Sequence, residues 1–524
     1  MRPSRYPPVT MLSSETAAMI SVGAPRARRI MSSRLNPIRP ICCVRGRSMK
    51  GIVSCAFSRG KPCSTLDGKC FKLSVMLNKM RKMTPSWALD LYHRFLAWLA
   101  AILYRHPSRD LIVIGVTGTS GKSSTCYFLA KALEADGSKT GMTSTAFFKV
   151  ADSEWTNDTK MTMLGRFKLQ KMLRNMVDAG CRYAIVETTS QGIVQHRHQE
   201  IDYDICVFTN LYPEHLEAHG GFENYKQAKL ELFRHTASLP PKSIEKEAAP
   251  RIAVLNKDNE HAKDFALKKF DRIVWFGVES DAEYQAKNVA SDLEQVAFYI
   301  GDTHFEIHTP GEVMVYNAIA AIATAEALGF PREELSARLR AIRGIPGRYE
   351  FIHEGQSFHV IVDYAFEPVA LERLFDTVSA FKNGRIIHVT GSAGGGRDLS
   401  RRPLMGSISA KRADITIVTN EDPYDDDPMK IIEDVAKGAA QSGRKDGVDL
   451  FKILDRSEAI TKAIGLAESK DIVLITGKGN EPVMAVADGK KIPWDDREVT
   501  RSVLKELLGK SEGDDEKETI DVVE

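Results

Sequence analysis

A glycine-rich stretch that ends in lysine and serine is the part of this sequence best suited to chemistry. It consists of Gly118-Thr119-Ser120-Gly121-Lys122-Ser123-Ser124. Glycines let a backbone fold tightly and direct its N–H groups at phosphate oxygens; Lys122 would contact the β- and γ-phosphates, and the Ser123 hydroxyl would bind Mg²⁺. Val116 stands where the strict phosphate-loop pattern has glycine. The spacing predicts a site for ATP or GTP; the alternative is a glycine turn that only joins two elements.

Two further stretches place polar side chains where predicted strands end. They are Glu187-Thr188-Thr189-Ser190 and Thr209-Asn210-Leu211-Tyr212-Pro213-Glu214-His215. Ligands of doubly wound sheets bind at the C-terminal ends of the strands. Glu187 and His215 could therefore share a metal ion that is already anchored by phosphates. For either stretch alone, the alternative is a set of capping residues in a strand-to-helix loop.

Strands and helices alternate from Arg109 to about Ile342, a pattern typical of a parallel sheet covered on both faces. The predicted strands are Leu111–Val116, Tyr183–Glu187, Ile205–Thr209, Ile252–Leu255 and Ile273–Phe276, with a hairpin over 296–307 and helices over 125–135 and 315–328. After Gly344 a second α/β unit is predicted, with strands near His359–Val362, Arg385–Val389, Ile415–Val418 and Ile472–Ile475. We therefore expect an α/β protein. Its central phosphate-loop domain (109–343) would have a mostly parallel, doubly wound sheet, and a smaller Rossmann-like domain (344–508) would follow.

Charge is distributed unevenly along the 524 residues. Residues 1–75 contain 14 Lys and Arg against 2 Asp and Glu, whereas the remainder contains 58 against 67. An acidic folded part does not favour a nucleic-acid partner, and none is predicted. Five of the eight cysteines lie in the basic stretch without the paired spacing of a zinc site. Cys126, Cys181 and Cys206 lie in apolar patterns, as buried thiols of a reducing cytosol do, so a cytoplasmic location is predicted.

The ends of the chain differ in character from its middle. Residues 1–75 are interpreted either as a targeting segment or, preferably, as a disordered or spurious extension ahead of a start at Met76, Met80 or Met83. Residues 76–108 are predicted to form an amphipathic helical segment, and 509–524 an acidic disordered tail. The uncharged part of the helix is too short to cross a bilayer. We expect residues 87–104 to pack on the next domain, with contact at a membrane surface as the alternative.

These motifs, together with later ones in the same order, resemble those of the Mur ligases, which use ATP to add amino acids to the peptidoglycan precursor. The resemblance covers roughly Leu111 to Leu508 and is closest to the branch that adds the third residue. The phosphate loop matches the family's GTxGKTT, and residues 187–190 resemble its EVSS. Further matches are Gln195-His196-Arg197 (QHR), Asn210 to His215 (TNLxxDH), Tyr225 to Lys229 (YxxAK), Val315-Tyr316-Asn317 (NVYN), Gly347 to Glu350 (GRME), Val362 to Ala365 (VDYAH), Gly394 to Gly406 (GGDRDxxKRPLMG) and Gly477 to Glu481 (GKGHE).

The resemblance implies a role for each matching residue. Catalysis would fall to Lys122, Glu187, His215 and Lys229. ATP would be bound by Gly118, Thr119, Ser120, Gly121, Lys122, Ser123, Ser124, Asn317, Arg348 and Asp363. Two Mg²⁺ ions would be held by Ser123, Glu187, His215 and Lys229, the last as a carbamate, which makes a cationic side chain an anionic oxygen ligand. The UDP-MurNAc-peptide and the amino acid would be contacted by Thr162, Thr189, Gln195, Arg197, Arg397, Glu421, Asp422, Tyr424, Gly477 and Glu481.

Three departures from the family pattern change what is expected. Residues 1–108 contain no recognisable counterpart of the family's first, UDP-binding domain. The family's DNPR, which binds diaminopimelate, is here Glu421-Asp422-Pro423-Tyr424. Tyr424 lacks the guanidinium that pairs bidentately with a carboxylate, so we expect a lysine-like amino acid unless another arginine, such as Arg401, does the pairing. Phe366 replaces the histidine of VDYAH, and Met314 the asparagine of NVYN.

Two other functions stay open at the level of sequence. One is another amide ligase of the same superfamily, similar to folylpolyglutamate synthetase, against which Gln195-His196-Arg197 argues. The other is a non-catalytic nucleotide-binding regulator, against which the retention of Glu187, Lys229 and His215 argues. The preferred prediction is a monomeric, ADP-forming ligase. It would join an amino acid to UDP-MurNAc-dipeptide through an acyl phosphate.

Overall fold

The computed structural model describes residues 86–134, 137–159, 161–213, 219–244, 246–396 and 399–509. The predicted extension at 1–75, the tail beyond Gly509, and two predicted site residues, His215 and Arg397, lie outside these ranges. The described chain is an α/β structure with one larger and one smaller sheet, both mostly parallel, as the sequence predicts.

The larger sheet is formed by strands from the first part of the described chain. In chain order the strands are β1 Ile112–Thr117, β2 Thr140–Thr143, β3 Phe147–Val150, β4 Ser153–Thr156, β5 Tyr183–Glu187, β6 Ile205–Phe208, β7 Ser243–Ile244, β8 Glu247–Ala248, β9 Ile252–Asn256, β10 Arg272–Gly277, β11 Tyr284–Ser291, β12 Val296–Ile300 and β13 Thr303–Ile307. β7 and β8 pair only with each other, and the rest assemble in the order β13-β12-β11-β10-β9-β6-β1-β5-β2-β3-β4. The strands from β11 to β2 in this order pair in parallel, and antiparallel strands extend both edges.

The register of the central strands brings the predicted ligand residues to one edge. Val116 of β1 pairs with Glu187 of β5, and Thr117 pairs with Phe208 of β6. The same edge of the sheet therefore holds the phosphate loop after β1, the carboxylate that ends β5 and the loop after β6. This is the C-terminal edge, where ligands of such sheets bind.

Both faces of the larger sheet are apolar because its strands are buried on both sides. Every residue of β1 is buried, and its side chains alternate between two cores. Helices cover the two faces: α2 Lys122–Ala132 and α6 Glu312–Ala327 pack on one, and α3 Arg166–Asp178 and α5 Phe222–Ser238 on the other. A near-continuous apolar strand is what a doubly covered parallel sheet requires.

The smaller sheet follows in the order β14-β15-β19-β16-β17-β18. Its strands are β14 Glu350–Phe351, β15 His359–Asp363, β16 Ile386–Thr390, β17 Ile415–Thr419, β18 Leu450–Ile453 and β19 Ile472–Thr476. A hairpin of β20 Val483–Val486 and β21 Lys490–Pro493 follows β19 in the sequence. All pairs are parallel except β14 with β15. The remaining helices are α1 Ser86–Leu103, α4 Ser190–Val194, α7 Arg332–Arg340, α8 Pro368–Ser379, α9 Arg401–Arg412, α10 Pro428–Gln441, α11 Arg456–Leu466 and α12 Asp496–Leu507.

The predicted N-terminal helix is present as α1, and its last turns pack on α3. Leu96 and Ala100 are buried in a cluster with Phe167, whereas Trp98 is exposed. Among the described residues, no helix is both long enough and apolar enough to cross a membrane. The predicted packing of this helix is thus observed for its second half.

The three cysteines of the described chain are buried free thiols, as predicted. Burial raises the pKa of the Cys206 thiol to about 12 and also raises the pKa of the Cys126 thiol. Both are therefore neutral core side chains at physiological pH.

Candidate active site

The phosphate loop connects β1 to α2 and is braced by the loop that follows β6. Thr119 N donates to Asn210 O at 2.9 Å, and Ser120 N donates to Asn210 Oδ1 at the same distance. Thr209 Oγ1 donates to Ser120 O at 2.8 Å. The stretch after β6, which the sequence singles out for its ligand groups, therefore also fixes the shape of the phosphate loop.

Two glycines of the loop are required by close approach. A Cβ on Gly118 would overlap the Thr209 hydroxyl, and a Cβ on Gly121 would overlap the side-chain oxygen of Asn317. The φ of Gly121 is +79°, a conformation that favours glycine. Asn317, which is buried on α6, is thereby brought against the phosphate loop, as its predicted role in ATP binding requires.

Two lysines converge on one carbonyl of the loop. Lys229 Nζ donates to Gly118 O at 2.6 Å, and Lys122 Nζ donates to the same oxygen at 3.1 Å and to Thr119 O at 2.8 Å. Lys229 is 2% exposed and lies over the Tyr225 ring, 4.4 Å from its centroid. Two ammonium groups beside one another repel, so anionic phosphate oxygens in the loop would stabilise the arrangement.

The Glu187 carboxylate lies at the other side of the loop and is buried. Ser123 Oγ donates to Glu187 Oε2 at 2.9 Å, and Thr145 N donates to the same oxygen at 2.7 Å. Thr145 Oγ1 lies 2.9 Å from Glu187 Oε1 and 2.9 Å from the Thr162 hydroxyl. A serine hydroxyl and a carboxylate are thus adjacent at the end of the phosphate loop.

This donor set fits Mg²⁺, which prefers hard oxygen ligands and usually binds through one or two carboxylates plus substrate phosphates. Ser123 and Glu187 supply such oxygens. No group of three or more His, Cys, Asp or Glu residues suited to a metal occurs within the described ranges.

Three of the residues predicted to contact the peptide substrate, Thr189, Gln195 and Arg197, follow β5. Thr189 Oγ1 accepts a hydrogen bond from Gly192 N at 3.0 Å and so caps α4. Arg197 donates to Gln195 Oε1 from Nε at 3.1 Å and from Nη2 at 2.6 Å, and its Nη1 donates to Met163 O. Gln195 and Arg197 form one hydrogen-bonded unit.

Arg348 and Asp363, predicted for ATP, lie near each other: Arg348 precedes β14, and Asp363 ends β15. Asp363 accepts hydrogen bonds from Tyr349 N and Ala365 N, both at 2.7 Å. Burial raises the pKa of Asp363, and the Arg348 guanidinium opposes this rise. Arg348 lies over the Tyr364 ring at 4.4 Å, and its buried Nε has no hydrogen-bond partner among the described residues. An unsatisfied buried donor of this kind suits an incoming acceptor such as a phosphate or ribose oxygen.

The predicted amino-acid residues meet around Lys478, which is fully buried. Lys478 Nζ lies 2.9 Å from Asp422 Oδ1 and 2.7 Å from Glu481 Oε2. Two of the three carboxylates expected to attract a cationic substrate are therefore paired with a lysine of the protein. Glu421 is different: it is 5% exposed, and its Oε2 has no hydrogen-bond partner in the described chain. Burial, and next the Asp422 carboxylate, raises the pKa of Glu421.

Gly477 lets the Glu421 carboxylate approach the loop after β19. A Cβ on Gly477 would lie 2.8 Å from Glu421 Oε2, and the φ of Gly477 is +111°. Tyr424 packs on the glycine-rich loop after β16, since a Cβ on Gly395 would lie 2.7 Å from its ring. The predicted pocket residues Glu421, Tyr424 and Gly477 are thus neighbours of the loops that end β16 and β19.

Comparison with known proteins decides the family. The description "Mur ligase middle domain" matches residues 116–325, and "Mur ligase, glutamate ligase domain" matches residues 347–479. The UDP-N-acetylmuramyl-tripeptide synthetase of Roseiflexus sp. (strain RS-1) is 38% identical over 425 residues, which are 79% of this chain and 82% of that protein. The chain belongs to the Mur ligase family.

Solved structures agree on the fold. A UDP-N-acetylmuramoyl-L-alanyl-D-glutamate–2,6-diaminopimelate ligase superposes with a TM-score of 0.52 at 29% identity, over 76% of this chain and 79% of that one. Folylpolyglutamate synthase of Mycobacterium tuberculosis superposes with a TM-score of 0.57 over 80% of this chain and 96% of that one. Its identity is 16%, so that likeness concerns the fold alone. As a Mur ligase the chain is an ATP-dependent amide ligase, and enzymes of this family use ATP and Mg²⁺.

Sequence reasoning missed several polar residues of this Mur ligase site. Thr145, whose N–H donates a hydrogen bond to Glu187, follows β2. The sequence pattern that could have identified it is a threonine at the end of one more parallel strand. His219, four positions after His215 in the sequence, has its Nε2 3.1 Å from Ser190 Oγ. Arg401 was considered only as an alternative. It is 8% exposed, lies 5.6 Å from the Phe366 ring, and has no hydrogen-bond partner for Nε or Nη2 among the described residues.

Proposed function

We propose that this Mur ligase adds the third amino acid to UDP-MurNAc-dipeptide in the cytoplasm, with conversion of ATP to ADP and phosphate. The observation that carries the proposal is the meeting of Lys122, Lys229, Ser123 and Glu187 at one phosphate loop. A protein that only binds a nucleotide needs the phosphate loop, but it does not need a second buried lysine, Lys229, at the Gly118 carbonyl. The likeness to the Roseiflexus protein, a UDP-N-acetylmuramyl-tripeptide synthetase, supports the choice of substrate.

The chemistry follows from what an amide bond requires. A carboxylate does not react with an amine in water, so one of its oxygens first attacks the γ-phosphorus of ATP, and ADP leaves. The amine then attacks the acyl phosphate at its carbonyl carbon, and inorganic phosphate leaves. Lys122 and the N–H groups of the loop would hold the phosphates in line, since phosphoryl transfer depends mainly on positioning and on stabilising charge.

Ser123, Glu187, His215 and carbamylated Lys229 would hold two Mg²⁺ ions, which when bound offset the repulsion between the substrate carboxylate and the triphosphate. The buried place of Lys229 beside Tyr225 supports a modified side chain. A carbamate on Lys229 would bring the negatively charged oxygen that a cation site needs.

The two substrates would bind on opposite sides of the loop. The UDP-MurNAc-dipeptide would be contacted by Thr162, Thr189, Gln195 and Arg197. The nucleotide would be contacted by Asn317, Arg348 and Asp363. The amino acid would bind among Arg397, Glu421, Asp422, Tyr424, Gly477 and Glu481. Because Asp422 and Glu481 already pair with Lys478, Glu421 is the carboxylate that we assign to a substrate ammonium group.

The proposal is tested by measuring phosphate release from ATP and Mg²⁺ with UDP-MurNAc-dipeptide and single amino acids, and by mass spectrometry of the product. Amide formation that needs both substrates is expected, and it should be lost in Glu187→Gln but kept in Glu154→Gln. Glu154 is a matched control, a carboxylate of β4 paired with Lys131 at 2.8 Å. Turnover of a folate and glutamate instead would make the chain a folylpolyglutamate-type ligase. Nucleotide binding with no turnover of either pair would make it a regulator.

A further inference from the structure

An arginine of the smaller-sheet domain contacts the phosphate loop of the central domain. Arg373 lies on α8, and its Nη1 is 3.1 Å from Ser120 Oγ and 3.1 Å from the Tyr212 hydroxyl. The guanidinium also lies over the Tyr212 ring, 4.5 Å from its centroid. Ser120 is in the middle of the phosphate loop, directly before Gly121. Arg373 therefore reaches the place where phosphates would bind.

Arg373 has no carboxylate partner in the described part of the chain. No carboxylate lies within ion-pair distance of it among the described residues, and its hydrogen bonds there go to the hydroxyls of Ser120 and Tyr212. The neighbouring Glu372 instead pairs with Arg412, at 3.0 Å. A guanidinium without a carboxylate partner at an anion site is suited to bind phosphate oxygens bidentately.

Arg373 adds a third cation to those already at the loop. Lys122 and Lys229 approach from the central domain, through the Gly118 carbonyl. Arg373 comes from α8, a helix of the domain that contains the amino-acid residues. ATP carries more negative charge than ADP because it has a γ-phosphate. The cationic Arg373 would therefore favour binding of ATP over binding of ADP.

We propose that Arg373 binds the γ-phosphate of ATP and then the phosphoryl group of the acyl phosphate, so that it acts as a catalytic residue supplied by the C-terminal domain. The proposal rests on the proposed function only in requiring ATP at this loop. During transfer the bond from the γ-phosphorus to the β-bridging oxygen breaks and a bond to the carboxylate oxygen forms. Arg373 donates hydrogen bonds to the phosphoryl oxygens throughout and gives up no proton.

The same contact couples nucleotide binding to the arrangement of the two domains. Arg373 donates hydrogen bonds to the hydroxyls of Ser120 and Tyr212. A γ-phosphate would replace these hydroxyls by a stronger, charge-assisted acceptor. ATP would therefore hold α8, and with it the C-terminal domain, more firmly than ADP does.

Binding measurements on the full chain test this without any ligase substrate. The affinities of Mg²⁺-AMPPNP and Mg²⁺-ADP are measured by displacement of a fluorescent ADP, for wild type, Arg373→Met, Arg373→Lys and the control Arg412→Met. Arg412 is an arginine of the same domain that pairs with Glu372 and Asp376 away from the loop. Thermal unfolding checks that each variant is folded.

Arg373→Met is expected to weaken AMPPNP at least ~10-fold and ADP less than ~3-fold, with Arg373→Lys in between and Arg412→Met like wild type. The rate of phosphate release under saturating substrates should fall on the order of 10³-fold in Arg373→Met. Equal effects on AMPPNP and ADP, or no effect on either, would overturn the proposal. If no amide substrate is turned over at all, the proposed function fails while the difference between the nucleotides still decides the role of Arg373.

Discussion

At the scale of residues, the phosphate loop brings charged side chains of both signs together. Lys122 and Lys229 both donate to the Gly118 carbonyl, and Glu187 is a buried carboxylate that accepts a hydrogen bond from the Ser123 hydroxyl. The two lysines would stabilise anionic phosphates bound at the loop. Carbamylation of Lys229 would instead supply a negatively charged oxygen ligand for a cation.

Replacing Lys229 tests the carbamate directly. Lys229→Ala should lower kcat about 10²- to 10³-fold because an oxygen ligand of the Mg²⁺ that would stabilise the transferring phosphoryl group is lost. Added formate or acetate should restore part of the activity by supplying the missing carboxylate oxygens. Lys226→Ala is the matched control, since Lys226 lies one turn earlier on α5 and pairs with Asp264 at the surface. Steady-state kinetics with and without the acids decide the matter; full activity of Lys229→Ala would make this lysine structural.

The amino-acid pocket gives a second prediction at this scale. Tyr424 packs on Gly395 where the family's arginine would stand, and the Glu421 carboxylate has an unsatisfied oxygen. L-lysine should therefore exceed meso-diaminopimelate in kcat/KM, on the order of 10²-fold, because the distal carboxylate lacks a partner. Tyr424→Arg should shift the ratio toward diaminopimelate, and Tyr424→Phe should leave it unchanged.

A wild-type preference for meso-diaminopimelate would contradict this prediction. Arg401 would then be the residue to replace, because two nitrogens of its buried guanidinium have no partner among the described residues. Loss of the diaminopimelate preference in Arg401→Lys, with lysine turnover kept, would assign the distal carboxylate to Arg401.

At the scale of elements, the central strands and the phosphate loop could be predicted because each is locally encoded. The β-branched run before Gly118 and the helical spacing after Lys122 specify strand, loop and helix without reference to the rest of the chain. Strands β2, β3 and β4, which extend the sheet from β5 to one edge, were missed. Each has four residues, which is too short for a hydrophobic period to show, and Thr145 was missed with them.

Contacts between distant elements could not be predicted from local patterns either. Arg373 looks like any polar residue on the amphipathic helix α8, and only tertiary structure brings it to Ser120. The pairing of Asp422 and Glu481 with Lys478 likewise depends on the positions of two loops. The family motifs can be identified from the sequence, whereas the pairing of charges within the pocket can be identified only from the tertiary structure.

His388 links three elements of the smaller domain and gives a prediction for pH. It lies on β16, with Nδ1 2.7 Å from Ser409 Oγ of α9 and Nε2 2.9 Å from Thr476 Oγ1 of β19. Burial, with a smaller effect of Arg456, lowers the pKa of His388 from 6.5 to about 3. Between these values the unfolded chain binds the proton and the folded one does not, so stability is lost as pH falls.

The free energy of unfolding should therefore decrease from pH 6.5 toward 3 by up to about 1.4 kcal/mol per pH unit from this residue. His388→Gln should be less stable at pH 7 but should lose that part of the slope. His353→Gln, which replaces an exposed histidine, should keep the wild-type slope. Urea unfolding at several pH values measures the difference; equal slopes in all three proteins would show that His388 titrates normally.

At the scale of the whole molecule, contacts between the two domains gather near the site. Asn480 Nδ2 donates to Ala146 O at 3.1 Å, Lys491 Nζ donates to Asp158 O at 2.8 Å, and Arg373 binds Ser120. Asn480 lies in the loop that also carries Gly477 and Lys478, and Ala146 follows Thr145, which binds Glu187. The amino-acid residues of one domain and the phosphate residues of the other thus approach through neighbouring loops, as a two-substrate ligation needs.

The central claim is that a substrate carboxylate is activated as an acyl phosphate at this loop, and transfer of isotopic oxygen tests it most directly. UDP-MurNAc-dipeptide labelled with ¹⁸O in its terminal carboxylate is incubated with ATP, Mg²⁺ and L-lysine, and the released phosphate is analysed by mass spectrometry. The bridging oxygen of an acyl phosphate comes from the carboxylate and leaves with the phosphate. One ¹⁸O atom per phosphate, formed together with ADP, is the predicted result. Unlabelled phosphate beside a product that keeps both labels would contradict it.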